Sequence, residues 1–316
     1  MDADRRDLER AVRASPNDPR AARAYLRASD RVSGLAEAER NQLLMVIHAD
    51  RIPENLQDIL PQYERNRNRL QRFGIVTIPE NPRELPFITG IDGKPYPVPT
   101  FEQVITQLSS EDKRVIETIN PPKLLLSPFA RSNQELCQQL TSQTGSLPQQ
   151  NPLNSSWDQN ADRTGDLLYH VKQFKGKIGG MTKEQILALT ADKNPFPGWN
   201  VLVVDGKPEI DQTTIVKEGG WYKNAHEFLK EYQDKGWDGL TPEDLLTLDM
   251  LAMETGTPFD QQTWCWLLGS YLKSARAVPL AGWSGVNAQV RLREDDPESA
   301  WYYPGSRGAR RLGLGR

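Results

Sequence analysis

VRLREDDPESAWYYPGSRGARRL, Val290 to Leu312, is the stretch whose reading decides the fold. Chain ends without a task are usually small, polar and frayed. This one carries arginines, carboxylates, three aromatics and a Gly-Ser-Arg-Gly step. In a strand, adjacent residues face opposite ways, so Arg291 and Arg293 share one surface while Leu292 enters a core. Gly305 and Gly308 let a closing strand turn and approach its neighbour closely.

Working outward, GLTPEDLLTLDMLAMETG predicts a helix with Thr241 as N-cap, Pro242 at its first position, Glu243 and Asp244 in its first turn and Gly256 as its stop. PFPGWNVLVVDG reads as a proline-bounded strand and MTKEQILAL as a short helix. All eight tryptophans (157, 199, 221, 237, 264, 266, 283 and 301) lie in this half or at its border, so its core is built on large aromatics.

The other half reads differently. Residues 1–40 form a helical extension of two short helices joined by SPNDP, with Leu8 and Val12 on one face. The pattern stays helical from Leu35 to Phe73. Asn66, Arg67 and Asn68, interleaved with arginine, offer phosphate contacts, but a charge run on a helix is ordinarily a wet face and nucleic acid is not favoured. Six prolines between Pro79 and Pro99 exclude helix up to Phe101, and IDGK marks a turn between extended pieces. One helix is expected over Thr100–Ile119, a buried strand in PPKLLLSPF, and a helix over Ser132–Leu140. Thr141–Asp166 is polar and aperiodic, the composition of a linker or long loop. The organisation expected is therefore a helical extension (1–40), a helical or mixed domain (41–140), a linker (141–166) and a second domain (167–316), in the α+β class.

The 316 residues carry a net charge of −3, too little for a global field that would gather nucleic acid or an anionic membrane. No apolar run approaches the ~20 residues of a spanning helix, and the charged start lacks a signal-peptide core, so a cytoplasmic protein is expected. Cys137 and Cys265 are too few and too distant for a disulfide framework and read as buried thiols. His48, His170 and His226 sit in unrelated contexts, and the Gly-Gly pairs make no phosphate loop. Glu294, Asp295, Asp296 and Glu298 match no calcium loop, and ion pairing with Arg291, Arg293 and Arg307 is expected instead. No cofactor and no metal are expected.

The C-terminal part, from about Pro195 to Leu312, resembles that of certain uncharacterised bacterial proteins in which a domain of the C-type-lectin-like fold ends in the same way. The resemblance rests on Thr263, Trp264 and Trp266; on Val278, Pro279, Ala281 and Trp283; on Asp296 and Pro297; and on Gly305, Arg307, Gly308, Ala309 and Arg310. That fold is shared by formylglycine-generating enzymes, sulfoxide-forming iron enzymes and the variable proteins of diversity-generating retroelements. The enzyme branches imply a cysteine pair near the C-terminus or a histidine cluster, and the chain offers neither. The likeness to the variable proteins implies a non-enzymatic, receptor-like protein displaying Ser284, Asn287, Gln289, Arg291, Arg293, Ser299, Trp301, Tyr302 and Tyr303 to a protein or small ligand. Such residues give aromatic area and adaptable hydrogen bonding. Two alternatives stand beside it: a degenerate oxidase with Cys265 as reactive thiol, and a phage-type assembly protein whose terminal surface meets a second copy.

Overall fold

A computed structural model of the chain describes residues 2–30, 35–81, 84–143, 153–155, 160–190, 192–217, 222–252, 259–260, 262–284, 289–300 and 304–313. The class is α+β. Helices α1 (Asp2–Ala14), α2 (Pro19–Asp30), α3 (Glu37–Ile47) and α4 (Ile59–Arg72) open the chain. The expected extension is anchored rather than free, because Ala22 and Tyr25 of α2 are buried and the Tyr25 hydroxyl donates to Glu39. A hairpin of β1 (Phe87–Thr89) and β2 (Pro95–Pro97) closes on the IDGK turn, where Gly90 N donates to Lys94 O.

The helix expected over Thr100–Ile119 is two helices, α5 (Phe101–Thr106) and α6 (Ser110–Ile116). Thr100 with Gln103 and Ser109 with Asp112 each form a capping box, and the second box restarts the backbone where one helix would have run on. Strand β3 (Pro122–Ser127) and α7 (Asn133–Gln143) follow as expected.

After these come β4 (Leu153–Ser155), β5 (Leu167–Tyr169), α8 (Lys183–Leu187), β6 (Asn200–Asp205), α9 (Gln212–Ile215), α10 (Ala225–Lys235), β7 (Asp238–Gly239) and α11 (Pro242–Ala252). The chain then turns to strand: β8 (Trp264–Trp266), β9 (Ser270–Leu272), β10 (Val278–Ser284), β11 (Gln289–Asp295), β12 (Pro304–Ser306) and β13 (Gly308–Arg311). Thr241 and Asp244 cap α11 reciprocally, as its sequence predicts, while Gly256 lies outside the described residues. No helix among the described residues is long and apolar enough to cross a membrane.

Two sheets organise the second half. One runs β12-β8-β10-β11-β4 and the other β3-β6-β13-β7. The stretch read as a linker is not a boundary between them: β4, inside it, pairs in parallel with β11, and β3, before it, pairs with β6 after it. The buried apolar residues of both halves form one core.

β3 is an edge strand, and such an edge invites pairing with other chains. Here α4 covers it. The Gln62 side chain accepts from Leu124 N at 2.6 Å, and Asn66 donates to Leu124 O at 3.0 Å and accepts from Leu126 N at 3.1 Å. Two amides one helical turn apart thus stand in for a neighbouring strand. Asn66, read as a phosphate contact, is buried in this role, and Arg67 pairs with Glu37.

β12 and β13 are separated by Arg307 alone and belong to different sheets, so the chain crosses from one sheet to the other within a single residue. The crossing needs close approach. A Cβ on Gly308 would stand 2.2 Å from Trp237 Cε3, inside the contact distance of a rigid ring. Gly308→Ala should therefore cost about 1–3 kcal/mol by overpacking, read as a lowered denaturation midpoint in urea at unchanged slope.

Candidate functional site

The terminal motif GSRGARRL holds the scaffold through three buried arginines. Arg307 is 1% exposed and all five of its N–H groups are used. Nε and Nη2 grip Asp260 at 2.8 and 2.6 Å, Nη1 donates to the carbonyls of Asp205 and Lys207, and Nη2 also reaches that of Pro208. Asp260 adopts a left-handed φ of 52° to meet it. Arg310 pairs with Asp112 of α6, and Arg311 with Asp244 of α11 at 3.0 Å. Arg307 therefore does not join the carboxylates that follow β11, as its sequence position had implied.

A second buried network lies under β5. Lys183 Nζ sits 2.8 Å from Asp162 and 2.7 Å from Glu243, and all three side chains are fully buried. Nζ also donates to Arg131 O, and the Tyr169 hydroxyl donates to Glu243 at 2.6 Å. Burial alone would push the ammonium down, but Glu243 and Asp162 outweigh it and hold Lys183 above its ordinary range.

On this frame β10 and β11 form a hairpin whose register pairs Ser284 with Gln289, Gly282 with Arg291 and Leu280 with Arg293. Four of the nine expected display positions are thereby brought together. The inward positions Val290 and Leu292 are buried, as alternation requires, along with Ala281 and Cys265 of the strands beside them. Outward, the Arg293 guanidinium stands 5.0 Å over the Trp264 ring, a cation–π arrangement. Gly282 makes room for it, since a Cβ there would be 3.2 Å from that indole. Ser299 lies in the turn after β11, its N donating to Asp296 O. Asn287, Trp301, Tyr302 and Tyr303 lie outside the described residues.

That turn leads into a groove of about 550 Å³, within the range of small-ligand sites. Its floor is aromatic: Phe174 stacks on Tyr271 at 6.0 Å and 17° and meets His226 edge-on at 5.8 Å. Its rim carries both signs, with Lys175, Lys273 and Arg276 against Asp296 and Glu298. Glu298 lies 3.2 Å from Lys175 and 3.6 Å from His226 Nε2. Arg276 is held at a left-handed φ of 53° in a turn pinned from below by Asp166, whose carboxylate accepts from Ser274 N and Oγ at 2.9 and 2.7 Å. Strain of this kind in a non-glycine residue persists only where surrounding contacts impose it. Sequence reasoning missed the groove apart from its Asp296-Pro297 loop, because its lining comes from four stretches, 168–178, 226, 271–276 and 296–298, that only the fold brings together.

The arrangement among the described residues offers contact area and hydrogen bonding. Among the described residues no group of three or more His, Cys, Asp or Glu is placed to hold a metal ion. Cys265 is fully buried and burial pushes its thiol up; Cys137 is buried too, its thiol raised by the same cause. Since the thiolate is the nucleophile, neither cysteine should react with iodoacetamide over hours in the folded protein, while both should react in guanidinium chloride. Mass spectrometry of the intact chain reads the difference.

Two buried groups set a pH response. Burial, then the neighbouring Asp260, raises Asp249 to about 8, and burial, then Arg311, lowers His170 to about 3. The neutral Asp249 contributes stability that is full below about 3.8 and lost as pH rises through 8. His170 acts oppositely, with stability full above about 6.5 and lost as pH falls towards 3. The two slopes oppose each other where the windows overlap, from about 3.8 to 6.5, so the loss above pH 6.5 belongs to Asp249. It should approach ~1.4 kcal/mol per pH unit. Asp249→Asn should flatten it in urea titrations from pH 6.5 to 8.

No protein-family model, curated protein or solved structure matches the chain.

Proposed function

We propose that the protein is a non-enzymatic binding protein that presents its ligand surface on β11 and the groove that continues from it, as the resemblance to the variable proteins of diversity-generating retroelements implies. One observation carries the reading: the strand bearing Arg291 and Arg293 runs directly into an aromatic-floored groove with a rim of both signs. Flat rings below and charged hydrogen-bonding groups above suit a polar ligand with one apolar face, such as a sugar ring or a peptide side chain. The buried, proton-holding thiol of Cys265 gives the oxidase alternative no support.

The test is an array of saccharides and short peptides probed with the wild type and with variants at exposed positions, Arg293→Ser and the pair Lys273→Ala/Arg276→Gly. At least one probe should bind the wild type and lose tenfold or more in affinity in a variant whose melting temperature stays within a few degrees. Binding that is equal in all three proteins, or wild type that binds nothing on the array, contradicts the proposal. A dimer in solution broken by the same substitutions would assign the surface to a second copy of the chain.

A further inference from the structure

The Lys183 network has a chemistry that the binding surface does not use. Among the described residues Lys183 is the one buried lysine. The buried arginines end in guanidinium groups that stay protonated, whereas a lysine amine becomes a nucleophile once it gives up a proton. Nζ sits 2.8 Å from Asp162 Oδ2 and 2.7 Å from Glu243 Oε1, with all three side chains at 0% exposure. Asp162 lies in the turn before β5 and Lys183 opens α8, so the two stand on either side of β5 in the chain and meet beneath it.

Aromatic rings close off the amine. The Phe129 and Tyr169 centroids stand 5.2 and 5.7 Å from Nζ, and the two rings pack edge to face at 4.9 Å. One cation here faces two carboxylates, and Asp162 Oδ1 and Glu243 Oε2 are buried with no hydrogen-bond partner. Incompletely paired charges in a protein interior are costly, and joining the amine to a carboxyl group removes two of the three at once. Asp162 is the acid placed for that bond. Its Oδ2 also accepts from Asn133 N at 2.9 Å, a fixed donor for the negative charge that develops on this oxygen during attack. Its Oδ1 can leave without giving up a hydrogen bond. Glu243 is held instead by the Tyr169 hydroxyl, with Oε1 against the amine protons.

We propose that Lys183 and Asp162 condense within the folded chain to form an amide cross-link, with Glu243 moving the protons. An ammonium is not a nucleophile, so Glu243 first takes a proton from Nζ and frees its lone pair. Nζ then bonds to Asp162 Cγ, and the bond from Cγ to Oδ1 breaks. Two protons leave Nζ in all, and both end on Oδ1, which departs as one water. Nζ keeps its third proton, which Arg131 O accepts at 2.7 Å. Glu243 is unchanged at the end, and nothing is oxidised or reduced. The fold supplies the contact and orientation that the same condensation lacks between free molecules, and the surrounding rings keep out the water that hydrolysis of the amide requires.

Mass spectrometry of the full chain, denatured after days at neutral pH, tests the proposal. The wild type should be lighter than the sum of its residues by one water. Peptide mapping places the loss, because an Asp-Gly pair such as Asp92-Gly93 can also shed water by closing a ring. Trypsin should fail to cut at Lys183 and should release one branched peptide that joins it to the segment of Asp162. Two variants, each compared in protein with native tryptophan emission, check the roles. Asp162→Asn should form the same amide by losing ammonia, and so reach the mass of the cross-linked wild type. Glu243→Gln should be cross-linked to less than a tenth of the wild-type extent. A wild type at its full mass, a water loss without the branched peptide, a branch to Glu243, Asp162→Asn at its full mass, or Glu243→Gln cross-linked as fully as the wild type overturns the proposal.

Discussion

Arg307→Leu should destabilise the protein by about 3–5 kcal/mol, a large share of the 5–15 kcal/mol that holds a typical domain. The substitution strands the buried Asp260 carboxylate and leaves the carbonyls of Asp205, Lys207 and Pro208 without the donor they now share. Asp260→Asn should cost less than Arg307→Leu, because an amide oxygen still accepts from the guanidinium while its charge is lost. The effect should extend to both sheets, since Arg307 is the residue at which the chain passes from β12 into β13. Urea unfolding followed by tryptophan fluorescence reads the loss. A change under 1 kcal/mol would mean that the crossing does not depend on this ion pair.

Lys183→Met should be comparably severe, at about 3–5 kcal/mol near neutral pH. It leaves Asp162 and Glu243 facing each other in a dry interior with no cation between them. The sign of its pH dependence distinguishes this cause from simple loss of packing. In the variant, one of the two carboxylates gains by taking up a proton, so part of the loss should be recovered as pH falls from 7 to 5. A triple variant with Lys183→Met, Asp162→Asn and Glu243→Gln should be more stable than Lys183→Met alone, because removing both charges removes the repulsion. Equal stability of the two proteins would contradict the account.

Local grammar made much of the fold legible. Thr241, Pro242 and Asp244 mark the start of α11, alternation about Leu292 gives the burial of β11, and the prolines around PPKLLLSPF bound β3. The failures have physical causes. Ser109 carries the same capping signal as Thr100, yet it lies inside an apolar pattern that reads as one helix. Glu243 and Asp244 read as first-turn acids suited to a helix dipole, whereas α11 is buried almost all round. A helix without a wet face must be buried, and acids on it must then have partners. That signal was present in PEDLLTLDMLA; the identities of the partners, Lys183 and Arg311, were not. The arginines of GSRGARRL look like surface charge for the same reason, since a single chain shows a charged residue without its counter-ion. Composition misled most at Thr141–Asp166, where polar residues conceal β4, the buried Asp162 and the Asp166 that pins the Arg276 turn.

What the binding proposal requires first is that the terminal strands complete the scaffold and leave β11 to present its outer face. Amide hydrogen exchange at Gly308 to Arg311, followed by NMR at pH 7 in the full-length protein, tests this most directly. Ala309 and Arg310 lie in the ladder with β6, and Arg311 N donates to Asp238 at 2.9 Å. These amides should exchange with protection close to that of Leu202 and Val203 in the sheet interior. Exchange within about tenfold of an unstructured peptide would detach the terminal strand from the sheet and contradict the account.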